Sequence, residues 1–342
     1  MMKFSTWDSR MQVETSPEGE VISLNDKRFP WVEKKVKTLR LAKLYRRAGY
    51  LDYSRKVAAC STWLQYGVSA DGTRQLSAAN FCQLRLCPLC IARRAKKAAY
   101  KVSKVLDTVA AEHEGTKFLF LTLTIQNVPG DKLGEALGEM MTGWDRLLRH
   151  RKVRRSIKGW FRAVEITRNR AKDTYHPHIH VILAVSPEYF SDEGLYLAHS
   201  EIVERWKLAM RLDYAPSVDV RAARSKGEFQ AERAAATEAA KYAVKDEEYI
   251  DPDMPDDEAA KVVRDYTEAL FKRRLVAFGG WMKEAARALG AENLEEGDLV
   301  HLDEDAVRED VAELIEVYNW HFGAGDYVLT DRKINPLKLV KV

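Results

Sequence analysis

Tyr175-His176-Pro177-His178-Ile179-His180-Val181-Ile182-Leu183-Ala184-Val185 is the stretch from which the rest of the chain is read. In a β-strand, residues two apart share a face. His178 and His180 therefore project together, and Val181, Leu183 and Val185 project the other way. The chain has 8 histidines in 342 residues, and three of them crowd into His176–His180. Two neutral imidazoles at this spacing can share one metal ion. The plain alternative is a strand with surface histidines. His176 has the right parity to join them, but Pro177 is expected to bend the strand beside it.

The segment just before is Trp160–Thr167 (WFRAVEIT), whose alternation puts Phe161, Ala163, Glu165 and Thr167 on one face. A turn over Asn169–Thr174 makes the two strands hairpin neighbours. Glu165 then becomes the third candidate ligand beside His178 and His180, with His176 as runner-up. A carboxylate and two imidazoles with open positions suit Mn²⁺ or Mg²⁺ acting as a Lewis acid. The alternative for Glu165 is an ion pair with Arg162 or Arg168.

Farther out, Lys117–Gln126 (KFLFLTLTIQ) reads as a strand and Asp131–Leu148 as an amphipathic helix. Helical patterns also appear over Trp31–Leu51 and around Ile202–Trp206, and a short strand over Ser217–Ala222. Glu228–Val244 is alanine-rich and helical, with Glu238 and Tyr242 one turn apart on one face. Lys241 and Lys245 stand beside that tyrosine. Asp246–Asp257 reads as a linker. Glu258–Leu289 reads as helix interrupted at Gly279-Gly280, and Val307–Trp320 as a helix. Lys272-Arg273-Arg274 is a candidate phosphate contact.

All four cysteines, Cys60, Cys82, Cys87 and Cys90, fall in one short window, spaced C-x21-C-x4-C-x2-C. A C-x2-C turn offers two thiolates to one tetrahedral ion, and two more complete a structural Zn²⁺ site. The alternatives are a redox pair at Cys87/Cys90 or buried, unligated thiols. A strongly basic helix follows, from Ala92 to about Glu112.

The chain carries 55 Lys and Arg against 51 Asp and Glu, a formal net charge of +4. Distribution matters more than the total. Bases cluster in Lys34–Arg47, Arg85–Lys104 and Arg146–Lys158, which points to a polyanionic partner such as nucleic acid. No apolar run reaches the roughly 18–20 residues needed to span a bilayer. Met1–Pro30 lacks the apolar core of a signal peptide. The expectation is a cytoplasmic protein without membrane partners.

A metal on a strand, a tyrosine on a helix and basic surfaces together suggest phosphoryl transfer on DNA. A metal would neutralise charge growing on the phosphate. A tyrosine hydroxyl can attack it, and a nearby Lys245 or Lys241 favours phenolate or phosphate.

His178-Ile179-His180 followed by Val-Ile-Leu resembles the histidine–apolar–histidine motif of the HUH endonucleases. Glu238-Ala-Ala-Lys241-Tyr242-Ala-Val-Lys245 resembles the tyrosine motif of plasmid rolling-circle replication initiators, the Rep proteins. Phe120-Leu121-Thr122-Leu123-Thr124 looks like their first strand motif, and the three come in the same order. Cys82…Cys87-Pro-Leu-Cys90 with its basic continuation, and Arg273-Arg274-Leu-Val-Ala-Phe278-Gly279-Gly280, look like flanking parts of that family. The resemblance covers roughly residues 60–285.

It implies an α+β fold: a central antiparallel sheet of ferredoxin-like or RRM-like type carrying the metal, helices on one face, and the tyrosine helix over it. It implies nicking of one strand at a plasmid origin, covalent attachment through Tyr242 and a free 3′-OH primer. Glu238 would activate water at termination, and Lys245 would position phosphate or tyrosine. The partners implied are origin DNA, single- and double-stranded, and a host helicase; a homodimer is compatible with it. A single-strand transposase or mobilisation relaxase of the same superfamily is the neighbouring expectation. A non-enzymatic zinc DNA-binding protein is the distant one. The expected domains are 1–115 (arm, basic helix, four-cysteine zinc module), 116–250 (catalytic domain) and 251–342 (a mainly helical C-terminal region).

Overall fold

The computed structural model describes residues 22–24, 26–222, 245–302 and 312–339. Along the chain run α1 (Trp31–Arg47), α2 (Leu51–Ala59), β1 (Trp63–Val68), β2 (Arg74–Ala79), α3 (Pro88–Glu112), β3 (Lys117–Thr124) and β4 (Val128–Pro129). Then come α4 (Gly130–Arg149), α5 (Arg151–Ser156), β5 (Ile157–Asn169), β6 (Thr174–Val185), α6 (His199–Met210) and β7 (Val218–Ala222). After the undescribed stretch follow α7 (Asp256–Ala269), β8 (Val276–Gly280), α8 (Trp281–Ala288), β9 (Leu314–His321), β10 (Asp326–Ile334) and α9 (Pro336–Leu339). The class is α+β, with antiparallel sheets flanked by helices.

Two compact units emerge. One comprises Met1–Arg46, Tyr50–Cys90 and Asp298–Val342; the other Arg47–Gly49 and Ile91–Gly297. This differs from the division expected at 115 and 250. Leu314–His321 forms a strand where a helix over Val307–Trp320 was expected, and this β9 pairs with β1 to complete a sheet of order β10-β9-β1-β2. Its core is aromatic. Tyr66 and Tyr318 meet edge-on at 5.9 Å, and Trp31, Trp320 and Tyr327 pack together, Trp320 and Tyr327 at 5.1 Å.

The second unit is built on a six-stranded antiparallel sheet, in which β7-β3-β6-β5-β8 lie side by side and β4 pairs with β6. The alternation in β6 sorts its two faces. Ile179, Val181, Leu183 and Val185 join Leu119, Leu121 and Leu123 of β3 against α4 and α6. On the opposite face Phe118, Phe161, Ile182 and Ala184 pack under α3 and α8. Helices thus cover both faces, and the second apolar patch stops short of the histidines.

Strand β8 lies where an interrupted helix was expected. Gly279 pairs with Trp160, and a Cβ on Gly279 would fall 2.1 Å from the indole. Gly279 makes room for that indole, while Gly280, at φ +54°, would put a Cβ 2.1 Å from the Lys158 carbonyl oxygen. Strand β6 also runs straight through Pro177, in register with Ile166. Pairing with β3 ends at His178, so no β3 partner misses the absent N–H.

Candidate metal centres

Cross-strand register brings the first site together. Glu165 of β5 lies opposite His178 of β6, and on the other side Thr124 and Thr122 of β3 lie opposite His178 and His180. Paired residues share a face, so a carboxylate, two imidazoles and two hydroxyls end up side by side. The ligand atoms of Glu165, His178 and His180 all lie within 4.8 Å of one another. His180 Nε2 donates to Glu165 Oε2 at 2.7 Å, and His178 Nε2 is 3.3 Å from the same oxygen. On the far side of the ring, His180 Nδ1 lies 3.2 Å from the Thr122 hydroxyl. Lys245 Nζ reaches the other carboxylate oxygen, Oε1, at 3.1 Å.

These neighbours set the charge. Burial alone would raise the Glu165 pKa, but hydrogen bonds from His178, His180 and Lys245, and the charge of Lys245, hold it far below the usual carboxylate range. Glu165 in turn raises the Lys245 ammonium above its ordinary value. Glu165 does not pair with Arg162 or Arg168. Arg162 points to the Leu275 carbonyl, and Arg168 binds Asp173 at 2.7 Å and Glu258 at 3.0 Å. The donor set of two imidazoles and one carboxylate, converging at the edge of an apolar core, fits a divalent ion with open positions. His176 stands 5.1 Å from His178, ring to ring, outside this trio. Burial, then the neighbouring His178, lowers its pKa.

The second group is Cys60, Cys82, Cys87 and Cys90, whose sulfurs also lie within 4.8 Å of one another. Sulfur–sulfur separations of 3.6 Å (Cys60–Cys87) and 3.7 Å (Cys60–Cys90, Cys82–Cys90) exclude a disulfide there. Lys35, fully buried, donates to the carbonyls of Ala58 at 3.2 Å and Cys60 at 2.5 Å, while Thr38 Oγ1 lies 3.8 Å from Cys87 Sγ. An ammonium placed there balances thiolate charge. Burial draws Lys35 down to about 8, and the charges of Cys60, Cys87 and Cys82 hold it up.

Comparison with known proteins sets this geometry in a family. The family model described as "Replication protein" matches residues 73–328, which span both metal-binding groups apart from Cys60. The chain belongs to the Rep replication protein family. It is 36% identical to a "Protein rep" of Streptococcus pneumoniae over 277 residues, 80% of this chain and 84% of that one. A "Protein rep" of Bacillus amyloliquefaciens is 35% identical over 341 residues, 92% of this chain and 99% of that protein. A "Replication protein" of Staphylococcus aureus is 36% identical over 222 residues, 64% of this chain and 93% of its own length. No solved structure matches.

Within this Rep-family chain, Tyr242, Glu238 and Lys241 lie outside the described residues. Thr122 and Lys35 were not foreseen as partners of the two groups. The parity of KFLFLTLT placed Thr122 on a face, but only the β3–β6 register says which face meets His180. Of the basic trio, Arg273 is spent on the Ala269 carbonyl at 2.7 Å and the Gly134 carbonyl at 2.5 Å, and Arg274 on the Glu292 carbonyl at 2.9 Å. No helix among the described residues is long and apolar enough to cross a membrane.

Proposed function

We propose that this chain initiates plasmid replication by nicking one DNA strand at the origin, with Tyr242 as nucleophile. One observation carries the reading: Glu165, His178 and His180 converge, and Lys245, three residues beyond Tyr242, touches the same carboxylate. Membership of the replication protein family supports the same reading.

Glu165, His178 and His180 would hold Mn²⁺ or Mg²⁺, which supplies Lewis-acid neutralisation of phosphate charge. Thr122 orients His180, and Lys245 keeps Glu165 ionised and turned toward the histidines. The Tyr242 oxygen attacks phosphorus, the P–O3′ bond breaks, and the departing oxygen takes a proton to become the 3′-OH primer. The 5′-phosphate stays on tyrosine, so the bond energy is kept for rejoining. At termination Glu238 takes a proton from water, which attacks the same phosphorus and frees Tyr242. The four cysteines would hold Zn²⁺. A tetrahedron with Zn–S bonds of about 2.3 Å has S···S edges of about 3.8 Å, close to the separations observed, and leaves no open position for chemistry.

The test uses Mn²⁺ and single-stranded origin DNA. An SDS-resistant protein–DNA species is expected, lost in Tyr242→Phe with binding nearly intact. Absence of that species with the unaltered protein would sink the enzymatic reading and favour a DNA-binding protein without catalysis. Glu238→Ala should nick yet fail to release; equal loss of both contradicts its role.

A further inference from the structure

Three basic clusters stand out in the sequence, and the fold treats them differently. In the first, Lys35 is buried on backbone carbonyls and Lys37 pairs with Glu33 at 3.2 Å. In the second, Arg93 and Arg94 are buried, Arg94 donates to the Glu295 carbonyl at 2.9 Å, and Lys97 to the Glu296 carbonyl at 2.8 Å. Part of each cluster is thus taken up by the protein itself.

The third cluster is not. Arg149, Arg151, Arg154 and Arg155, at the end of α4 and along α5, are all exposed. Among the described residues no acidic side chain pairs with any of these four. Elsewhere in the cluster, Lys152 is engaged by Glu201 at 2.8 Å and Arg146 by the Ala209 carbonyl at 3.0 Å. The helix that carries them is firmly seated. Val153 is buried in the core under the sheet, His150 Nδ1 accepts from the Lys152 amide at 3.3 Å, and the Ser156 hydroxyl bonds the Leu195 carbonyl at 2.5 Å. Four unpaired guanidinium groups held on a fixed platform are costly in mutual repulsion unless an anion meets them. Besides Glu201, the loop after β6 brings acids: Glu188 lies in the field of Lys158, and Asp192 accepts from the Gly194 amide at 2.7 Å.

We propose that Arg149, Arg151, Arg154 and Arg155 grip the phosphate backbone of duplex DNA beside the nicking site. This rests on the reading that the protein works on DNA, and it assigns the surface. Guanidinium forks match phosphate oxygens in pairs, and α5 offers no aromatic platform for an unstacked base, so the occupant is duplex backbone, not single strand. The platform joins β5 at Ile157, about 26 Å along the strand from Glu165. That distance corresponds to about 8 base pairs of duplex.

The test is binding of a short mixed-sequence duplex, and of one of its strands alone, across a range of salt. Arg151→Ala, Arg154→Ala and Arg155→Ala are combined; alanine suits an exposed helix. Calorimetric Mn²⁺ binding at Glu165, His178 and His180 serves as the check that the unit is folded. Expected is a drop in the salt slope for duplex of up to about 2.7, three contacts at about 0.9 each, and at least a tenfold loss of affinity at moderate salt. Single-strand binding should change less, and replacement by three lysines should restore most duplex binding. Unchanged duplex affinity and slope would overturn the proposal. So would an equal loss for the single strand, which would place the arginines on the cleaved strand. A missing tyrosine adduct in the unaltered protein, by contrast, defeats the nicking reading and leaves this measurement standing.

Discussion

The Thr122 hydroxyl, 3.2 Å from Nδ1 of His180, fixes which nitrogen of that ring faces Glu165. Groups behind a ligand set its orientation and basicity, and their loss typically weakens metal affinity about 10–100-fold. Thr122→Val keeps shape and removes the hydroxyl, so Mn²⁺ affinity measured by calorimetry should fall by at least tenfold with the melting temperature nearly unchanged. An unchanged affinity would show that packing alone orients the ring. A second residue is informative through pH. Burial would raise the Glu316 pKa, but hydrogen bonds from Arg74 and Tyr318, the charge of Arg74 and a hydrogen bond from Arg332 hold it below its ordinary 4.5. Tyr318 is pushed up to about 12 by burial and by Glu316. A carboxyl with a depressed folded pKa lends stability above its unfolded pKa and loses it as pH falls through the folded one. Melting temperature should therefore drop on acidification below about pH 5, and Glu316→Gln should flatten that part of the profile. An unaltered profile would assign acid lability to other carboxylates.

At the scale of elements, strands with clean alternation were legible and strands with a polar core position were not. KFLFLTLT and HIHVILAV announce β3 and β6, because one face of each is aliphatic (Lys117 at the strand end aside) and the other changes between apolar and polar along its length. Leu314–His321 does not, because Glu316 sits where an apolar residue is expected. Its burial depends on Arg74 and Arg332, which reach it from β2 and β10 at 2.8 and 2.9 Å. No local window contains that partnership. Gly279-Gly280 misled for a similar reason: the Trp160 indole that requires the first and the Lys158 carbonyl that crowds the second both lie in another part of the chain. The histidine trio was legible as far as parity and hairpin order allow, whereas Lys245 on Glu165 needed the chain to return across the sheet. The cysteine group gives this scale its own prediction. Binding free energy of a structural ion is folding free energy, so a strong chelator should unfold the four-stranded unit. Circular dichroism and the aromatic near-ultraviolet signal of Trp31, Trp320 and Tyr327 would report it, and Cys87→Ser should do the same without chelator. A chelator-treated protein that keeps that signal would show the cysteines to be plain core residues.

On the scale of the whole molecule, the chain leaves the cysteine unit after Cys90 and comes back to it at Asp298. Tyr327 joins the two ends: its hydroxyl donates to the Ser61 carbonyl at 2.7 Å, and its ring packs on Trp31 and Trp320. Tyr327→Ala should cost about 3–5 kcal/mol, a cavity plus an orphaned carbonyl, read by urea denaturation. A loss below about 1 kcal/mol would mean that the two ends are held elsewhere.

The order β10-β9-β1-β2 has a consequence during synthesis. β1 and β2 leave the ribosome early, yet the strand that pairs with the free edge of β1 is translated about 235 residues later. At common elongation rates that interval is roughly 10–50 s, during which an unpaired edge is open to any passing strand. The four cysteines are complete once Cys90 emerges, long before β9. An ion captured there would clamp the half-built unit and shield it until its last two strands arrive.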